Sequence, residues 1–218
     1  MLRLACLLCL IIPRLLLAQL MGLSLGRVSS TVAWEYPRPA GACDLCVSGT
    51  TPNASRESFA PALMVEERPS SVFGLASEIR YTLKGYATTE PTLNVHYLEV
   101  PALLRVGRIQ GTRFPILPFL ELGPALAIRV YCEVDYNQTS EDCRKGAAFG
   151  QDWRIRRLDI SAVAGLGLTL HVDDHVAMVG ARYDAGLLDV GGGNGATTKH
   201  RSTLVYLAWL WSTQAPTR

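Results

Sequence analysis

Apolar and polar residues alternate at every second position through most of this 218-residue chain. The clearest run extends from Leu158 to Leu170, where the even positions are all apolar and the odd positions are mostly polar or small. Such alternation over many short segments is typical of β-strands with one apolar face. The pattern predicts eight strands, at 22–34, 58–67, 73–84, 94–106, 115–129, 156–170, 176–184 and 201–211.

The connections between these strands alternate in length. Segments 35–57, 130–155 and 185–200 are long, 85–93 is intermediate, and 68–72, 107–114 and 171–175 are short. Short turns at one end and longer loops at the other are typical of outer-membrane barrels. The sequence therefore predicts an all-β fold, an eight-stranded antiparallel up-and-down transmembrane β-barrel. Its even strand number places both termini at the short-turn end, which is the periplasmic end.

Alternation alone does not say which face of each strand contacts water. A lipocalin-like barrel points its apolar face inward, and a membrane barrel points it outward. The polar faces here combine glycine with charges of both signs, which fits a narrow lumen filled by ion pairs. A selective pore is the alternative use of those charges. The predicted lumen cluster is Glu78, Arg80, Glu99, Arg105, Glu121, Arg129, Asp159, Arg182 and Asp184.

Four aromatic residues near the predicted strand ends fit the interfacial positions at which aromatic rings anchor membrane proteins. They are Tyr97, Tyr183, Trp209 and Trp211.

The N-terminus has the features of a secretory signal peptide. Arg3 precedes an apolar stretch that ends near the small residue Ala18. An uncleaved anchor helix is the alternative, but Arg14 in its middle would be costly in hydrocarbon. We expect a signal peptide at 1–18, the barrel domain at 19–211 and a short tail at 212–218.

Composition narrows the class of protein. Apolar residues make up 49% of the chain, charged residues 18%, and the net charge is +2. These values argue against a disordered chain and against a nucleic-acid-binding protein.

Four cysteines follow the signal peptide, and an even number in an exported chain predicts disulfides. Cys132 with Cys143 is the favoured pair, whereas Cys43 and Cys46 could also be half of a zinc site, a redox pair or free thiols.

Residues that could carry chemistry are few. His171 and His175 flank two aspartates, which indicates a hairpin turn more readily than a metal site. The glycine-rich segment 191–195 lacks the lysine and hydroxyl residue that would grip phosphate. We therefore predict no catalytic residue, no metal and no cofactor, and the chain is not expected to be an enzyme.

Several motifs resemble those of PorT-like outer-membrane β-barrel proteins. They are YLEVPALLR at 97–105, EIRYTLKG at 78–85, PFLELGP at 118–124, RYDAGL at 182–187, and Asp159-Ile160 followed by Gly165 and Gly167. The resemblance covers about residues 58–211 and keeps the order of five motifs. It implies an eight-stranded barrel in the bacterial outer membrane, in a family that mostly lacks an assigned function.

These observations together predict an integral outer-membrane protein with a structural or surface-binding role. Its expected partners are the lipid bilayer, a lipopolysaccharide-type outer leaflet and the outer-membrane assembly machinery, and we expect a monomer that binds no nucleic acid. Two alternatives remain open at this point, a narrow solute channel and a soluble, secreted, lipocalin-like binder.

Overall fold

The computed structural model describes residues 19–35, 54–87, 92–107, 116–136, 139–143, 155–172, 175–189 and 197–213. The predicted signal peptide, Cys43, Cys46 and segment 191–195 lie outside these ranges. Among the described residues, we find no helix whose length and apolar character would let it cross a membrane.

The described residues form nine β-strands. They are β1 (Leu20–Glu35), β2 (Ala54–Glu67), β3 (Phe73–Ala87), β4 (Thr92–Gly107), β5 (Ile116–Tyr136), β6 (Thr139–Asp142), β7 (Leu158–Val172), β8 (His175–Gly186) and β9 (Thr197–Ser212). Each long strand pairs antiparallel with its neighbours in the order β4-β3-β2-β1-β9-β8-β7-β5, and pairing of β4 with β5 closes the circle. The result is the predicted closed eight-stranded barrel.

Each predicted strand is present, and the main differences lie around β5. This strand continues to Tyr136, although the prediction ended it at 129, and β6 lies inside the predicted loop 130–155. A bulge at Val130 shifts the register, since His96 pairs with Tyr131 and Tyr97 with Arg129. One inserted residue interrupts the alternation there, and the pattern then resumes through Cys132 and Val134.

The outer face of the barrel is apolar. Leu122, Leu166 and Leu207 are each more than 60% exposed, and many other large apolar side chains share this face. Exposed apolar side chains around a closed sheet form a lipid-facing belt. A soluble binder would bury this face, so the lipocalin-like alternative is wrong.

The interior combines apolar clusters with charged side chains. An apolar cluster occupies the end of the barrel opposite the termini, which is the extracellular end; it comprises Val32, Leu93, Val95, Tyr97, Ala127, Cys132, Val134, Cys143 and Ile155. A second apolar cluster lies towards the periplasmic end, where Leu20 of β1 pairs with Ser212 of β9. Charged side chains lie between the two clusters and extend into the second one, where Arg105 lies over the Phe119 ring and Glu66 is paired in register with Leu20.

Tyr97 does not lie at the membrane interface, and the prediction that it does is wrong. Its side chain is fully buried in the lumen, and its hydroxyl lies 3.3 Å from His200 Nε2. Tyr97 shares the face of Glu99, two positions away, because side chains two apart point to the same side of a strand. Closeness to a strand end does not decide the face. Tyr183, Trp209 and Trp211 do face outward.

Candidate functional site: a sealed and charged lumen

The ion-pair network nearer the extracellular end is centred on Arg80. Arg80 on β3 is paired in register with Glu99 on β4, and its Nη2 lies 2.8 Å from Glu99 Oε2. The same nitrogen lies 3.0 Å from Asp184 Oδ2 on β8, across the lumen. Lys84 forms a second ion pair with Glu99. Each of these side chains is at most 3% exposed, so the network spans the interior without contact with bulk water.

A second network is centred on Glu121 of β5. Arg105 Nη2 lies 3.0 Å from Glu121 Oε2, and Arg182 also pairs with this carboxylate. Arg182 contacts Glu78 as well, at 2.6 Å, and the Tyr206 hydroxyl donates to Glu121 Oε1 at 3.1 Å. Charges from β3, β4, β5 and β8 therefore meet in the centre of the barrel.

The second network continues towards the periplasmic end through Glu66. This carboxylate pairs with Arg105 on one side and accepts a hydrogen bond from Arg68 Nε at 2.9 Å on the other. Burying charges costs desolvation energy that pairing only partly returns, so the network specifies which strands meet more surely than it adds stability.

Aromatic rings complete the filling around the central arginines. The Arg182 guanidinium carbon lies 4.3 Å from the Tyr206 ring centroid, and that of Arg105 lies 4.6 Å from the Phe119 centroid. Both distances are typical of cation–π contacts. The rings therefore occupy space that water would otherwise need to fill.

Eight of the nine residues predicted for the lumen cluster are buried inside the barrel, and Arg129 is half-buried near its extracellular end. Arg129 donates a hydrogen bond to the Ile155 carbonyl at 2.5 Å. Asp159 is 1% exposed, and neither of its carboxylate oxygens has a hydrogen-bond partner among the described residues. Glu66, Lys84, Tyr206 and His200 belong to the same interior, although the sequence analysis did not single them out. Lys84 lies four positions from Arg80, and His200 and Tyr206 lie an odd number of positions from the outward-facing Trp209, so alternation could have found these three. No predicted lumen residue lies on β2, so Glu66 had no such reference.

A disulfide-linked hairpin closes the extracellular end. Cys132 on β5 is bonded to Cys143 just after β6, with a Cα–Cα distance of 5.6 Å. Both cysteines are buried with Val134, Leu93 and Ile155 in the apolar cluster at this end. The hairpin thus holds an apolar cap above the ion-pair networks.

His171 and His175 do not converge on one site. The burial pattern of β7 places His171 on the inner face, whereas His175 is exposed on the outer face, with its ring 5.3 Å from that of Trp209. Within the described ranges no group of three or more histidines, cysteines or carboxylates is placed to hold a metal ion.

Several solved structures share this architecture at low sequence identity. The outer membrane protein OprG from Pseudomonas aeruginosa is 12% identical, with a TM-score of 0.55 over 90% of this chain and 97% of that one. Neisserial surface protein A is 12% identical, with a TM-score of 0.49 over 88% of this chain and 96% of that one. Ail from Yersinia pestis is 12% identical, with a TM-score of 0.43 over 89% of this chain and 99% of that one. No family model and no curated protein matches the chain.

At such identities the likeness to OprG concerns the fold alone. The closed barrel, its apolar outer belt and its charged interior are consistent with that likeness. By fold the chain is an eight-stranded outer-membrane β-barrel, and this fold with its lipid-facing belt locates it in the bacterial outer membrane.

Proposed function

We propose that this barrel is a non-enzymatic surface protein that is closed to solutes and acts through its extracellular end. The observation that carries the proposal is the filled interior, in which two ion-pair networks lie beneath an apolar cap. Eight strands leave an interior about wide enough for side chains alone. In a pore, charged side chains would line a water-filled channel, whereas here they form ion pairs with one another.

The extracellular hairpin is the feature that we propose to present to other molecules. Its strands β5 and β6 carry four carboxylates, two on each strand, at Glu133, Asp135, Glu141 and Asp142. The disulfide anchors the hairpin to the barrel, so a partner would meet a preorganised surface. We also propose that the chain belongs to the PorT-like family and that it is a monomer. Its proposed partners are lipopolysaccharide and the outer-membrane assembly machinery.

Conductance in a planar lipid bilayer tests whether the barrel is closed. We expect no unitary current steps from the refolded protein, while a general porin reconstituted in parallel shows that open pores are detected. Reproducible steps would support the narrow solute channel instead.

Antibody labelling of intact cells tests whether the hairpin is displayed. An epitope inserted between Tyr136 and Thr139 should be labelled on intact cells. The matched control carries the epitope in the turn between Arg68 and Phe73, at the periplasmic end, and should be labelled only after permeabilisation. The reverse pattern would contradict the proposal.

A further inference from the structure

The outer face of β9 changes from apolar to basic along its length. Trp209 and Leu207 are 45% and 66% exposed on this face. Thr203, Arg201 and Lys199 continue the same face towards the extracellular end, because side chains two positions apart point to the same side of a strand. Arg201 is exposed and Lys199 is half-buried. We call these two residues the basic patch of β9.

The basic patch lies at the level of the outer-leaflet headgroups. Trp211 marks the periplasmic interface on β9, since tryptophan is enriched at the surfaces of a membrane. Arg201 lies ten positions away. This separation corresponds to about 33 Å along the strand at ~3.3 Å per residue, and to about 23 Å along the membrane normal at a tilt of ~45°. Because the apolar band of an outer-membrane barrel is about 25 Å tall, Arg201 lies at its extracellular edge.

The strands on both sides of Arg201 carry small residues next to it. Its partners in register are Thr31 of β1 and Ala185 of β8. Ser29 and Thr203 are paired in register on the same outer face, two positions closer to the periplasmic end. Hydroxyl groups can donate hydrogen bonds to an anion. An anionic headgroup on Arg201 would therefore meet small or hydroxyl side chains and no bulky one.

The charge of Arg201 is not neutralised by another residue in the described part of the chain, where it has no ion pair. Arg27, on the outer face of β1, forms an ion pair with Glu57. Asp184 on β8 points into the lumen, where it pairs with Arg80. An anion that binds Arg201 would therefore not have to displace a carboxylate of the protein.

Carboxylates of the extracellular end lie on the other side of the barrel. Glu133 and Asp135 belong to β5, which is four strands from β1 in the circle of eight, whereas β9 is next to β1. The extracellular edge is therefore acidic at the β5–β6 hairpin and basic at β9. A phosphorylated headgroup is repelled by the first side and attracted by the second.

We propose that the basic patch of β9 binds a phosphate group of lipid A, the phosphorylated glycolipid anchor of lipopolysaccharide. A guanidinium can bind phosphate through two parallel hydrogen bonds, and Lys199 adds a second positive charge two positions away. The acyl chains of the same lipid then contact Val205 and Leu207, which are exposed beneath the patch. Phosphate followed by acyl chains matches the order of basic and apolar residues along β9. The inference rests on the proposed contact with lipopolysaccharide and names the residues that make it.

Native mass spectrometry of the refolded protein in detergent tests the inference. Titration with lipid A that carries two phosphates should give saturable binding to the barrel. Lipid A without phosphates and phosphatidylglycerol should each bind at least tenfold more weakly. Equal binding of the dephosphorylated lipid would show that the acyl chains alone are recognised, and equal binding of phosphatidylglycerol would show a general anion site. Either result would overturn the proposal.

Three variants locate the phosphate, and heat-modifiable mobility verifies that each of them folds. Arg201→Gln should weaken lipid A binding about tenfold or more, the range expected for losing a hydrogen bond to a charged group. Arg201→Lys keeps the charge but not the paired hydrogen bonds, so it should lose less. Arg27→Gln is the matched control, because the native Arg27 is already paired with Glu57, and it should bind lipid A like the native protein.

The outcomes separate the site from the contact on which it rests. Native affinity in Arg201→Gln, while the native protein binds lipid A, would overturn the site and leave the contact with lipopolysaccharide standing. An equal loss in Arg201→Gln and Arg27→Gln would indicate attraction by overall charge and would also overturn the site. A native protein that does not bind lipid A would contradict the contact itself, whereas the conductance measurement would still decide whether the barrel is closed.

Discussion

Individual inward-facing glycines determine how the lumen can be filled. A Cβ atom on Gly180 of β8 would lie 2.7 Å from ring atoms of Tyr206 on β9. The Tyr206 ring lies against this glycine and also stacks on Arg182. The absence of a side chain at one position therefore allows an aromatic ring and a guanidinium to share the same level of a narrow barrel.

Substitution of Gly180 tests this close contact. Gly180→Val should destabilise the barrel by about 1–3 kcal/mol through overpacking. Ala181→Val, on the lipid face of the same strand, should have little effect. Urea unfolding followed by heat-modifiable gel mobility provides the measurement. The double variant Gly180→Val with Tyr206→Leu should recover part of the loss, and additive effects of the two substitutions would contradict direct contact.

Loss of one partner from an ion-pair network leaves other charges buried. Arg105→Ala removes one of the ion-pair partners of Glu66 and of Glu121. Glu99→Ala removes the ion pair of Lys84 and one of the two ion pairs of Arg80. Each variant should lose about 3–5 kcal/mol of unfolding free energy. Refolding yield in detergent and the urea midpoint measure the loss.

Arg27→Ala is the control for these two variants, because it removes an ion pair on the outer face of the barrel. Its refolding yield and urea midpoint should match those of the native protein. Unchanged refolding in both lumen variants would place the charges outside the barrel.

The face on which a residue lies could be predicted from the sequence, but its partners could not. Glu99, Arg105 and Glu121 are buried as the alternation indicated. The contact between Arg80 and Asp184 depends on closure of the barrel, which joins residues 104 positions apart. Tyr97 lies two positions before Glu99 and therefore on the same face of β4. The alternation alone would have placed its side chain in the lumen.

At the level of elements, periodicity predicted the eight long strands and missed β6. All four residues of β6 are polar, so they carry no alternation of their own. The strand forms because β5 continues past Ile128, where its pairing with β7 ends, and offers a free edge, to which the disulfide also ties the chain. The sequence also did not indicate that pairing between β2 and β3 is interrupted at residues 56–61, because such an interruption depends on the neighbouring strand and not on the local pattern.

The disulfide should stabilise the hairpin without being needed for the barrel. In a variant with Cys132→Ser and Cys143→Ser, trypsin should cleave after Arg144 or Lys145 severalfold faster, because the hairpin loses the constraint that holds its base. Heat-modifiable mobility of the barrel should persist. Reduced native protein should behave like the variant. Loss of the folded band in the variant would show that the hairpin supports the whole barrel.

At the scale of the whole molecule, apolar side chains face outward and charged side chains face inward. This inverted arrangement explains features that would destabilise a soluble protein. Large apolar side chains cover the exterior, and four basic side chains, Arg80, Lys84, Arg105 and Arg182, are at most 2% exposed. Lipid solvates the apolar belt, and the closed sheet has no edge strand, although pairing between β2 and β3 is interrupted at residues 56–61. The alternation could predict the strands and their two faces, whereas closure and the filled lumen required the three-dimensional pairing.

The inverted arrangement is tested most directly at two adjacent positions on β5. Phe119 is 5% exposed in the lumen, and Leu120 is 62% exposed on the outer face. In a background with the four native tryptophans replaced by phenylalanine, Phe119→Trp and Leu120→Trp each provide a single reporter, and folding is checked by heat-modifiable mobility. Brominated lipids should quench the fluorescence of Leu120→Trp strongly and that of Phe119→Trp little. Strong quenching of Phe119→Trp with none of Leu120→Trp would contradict the account.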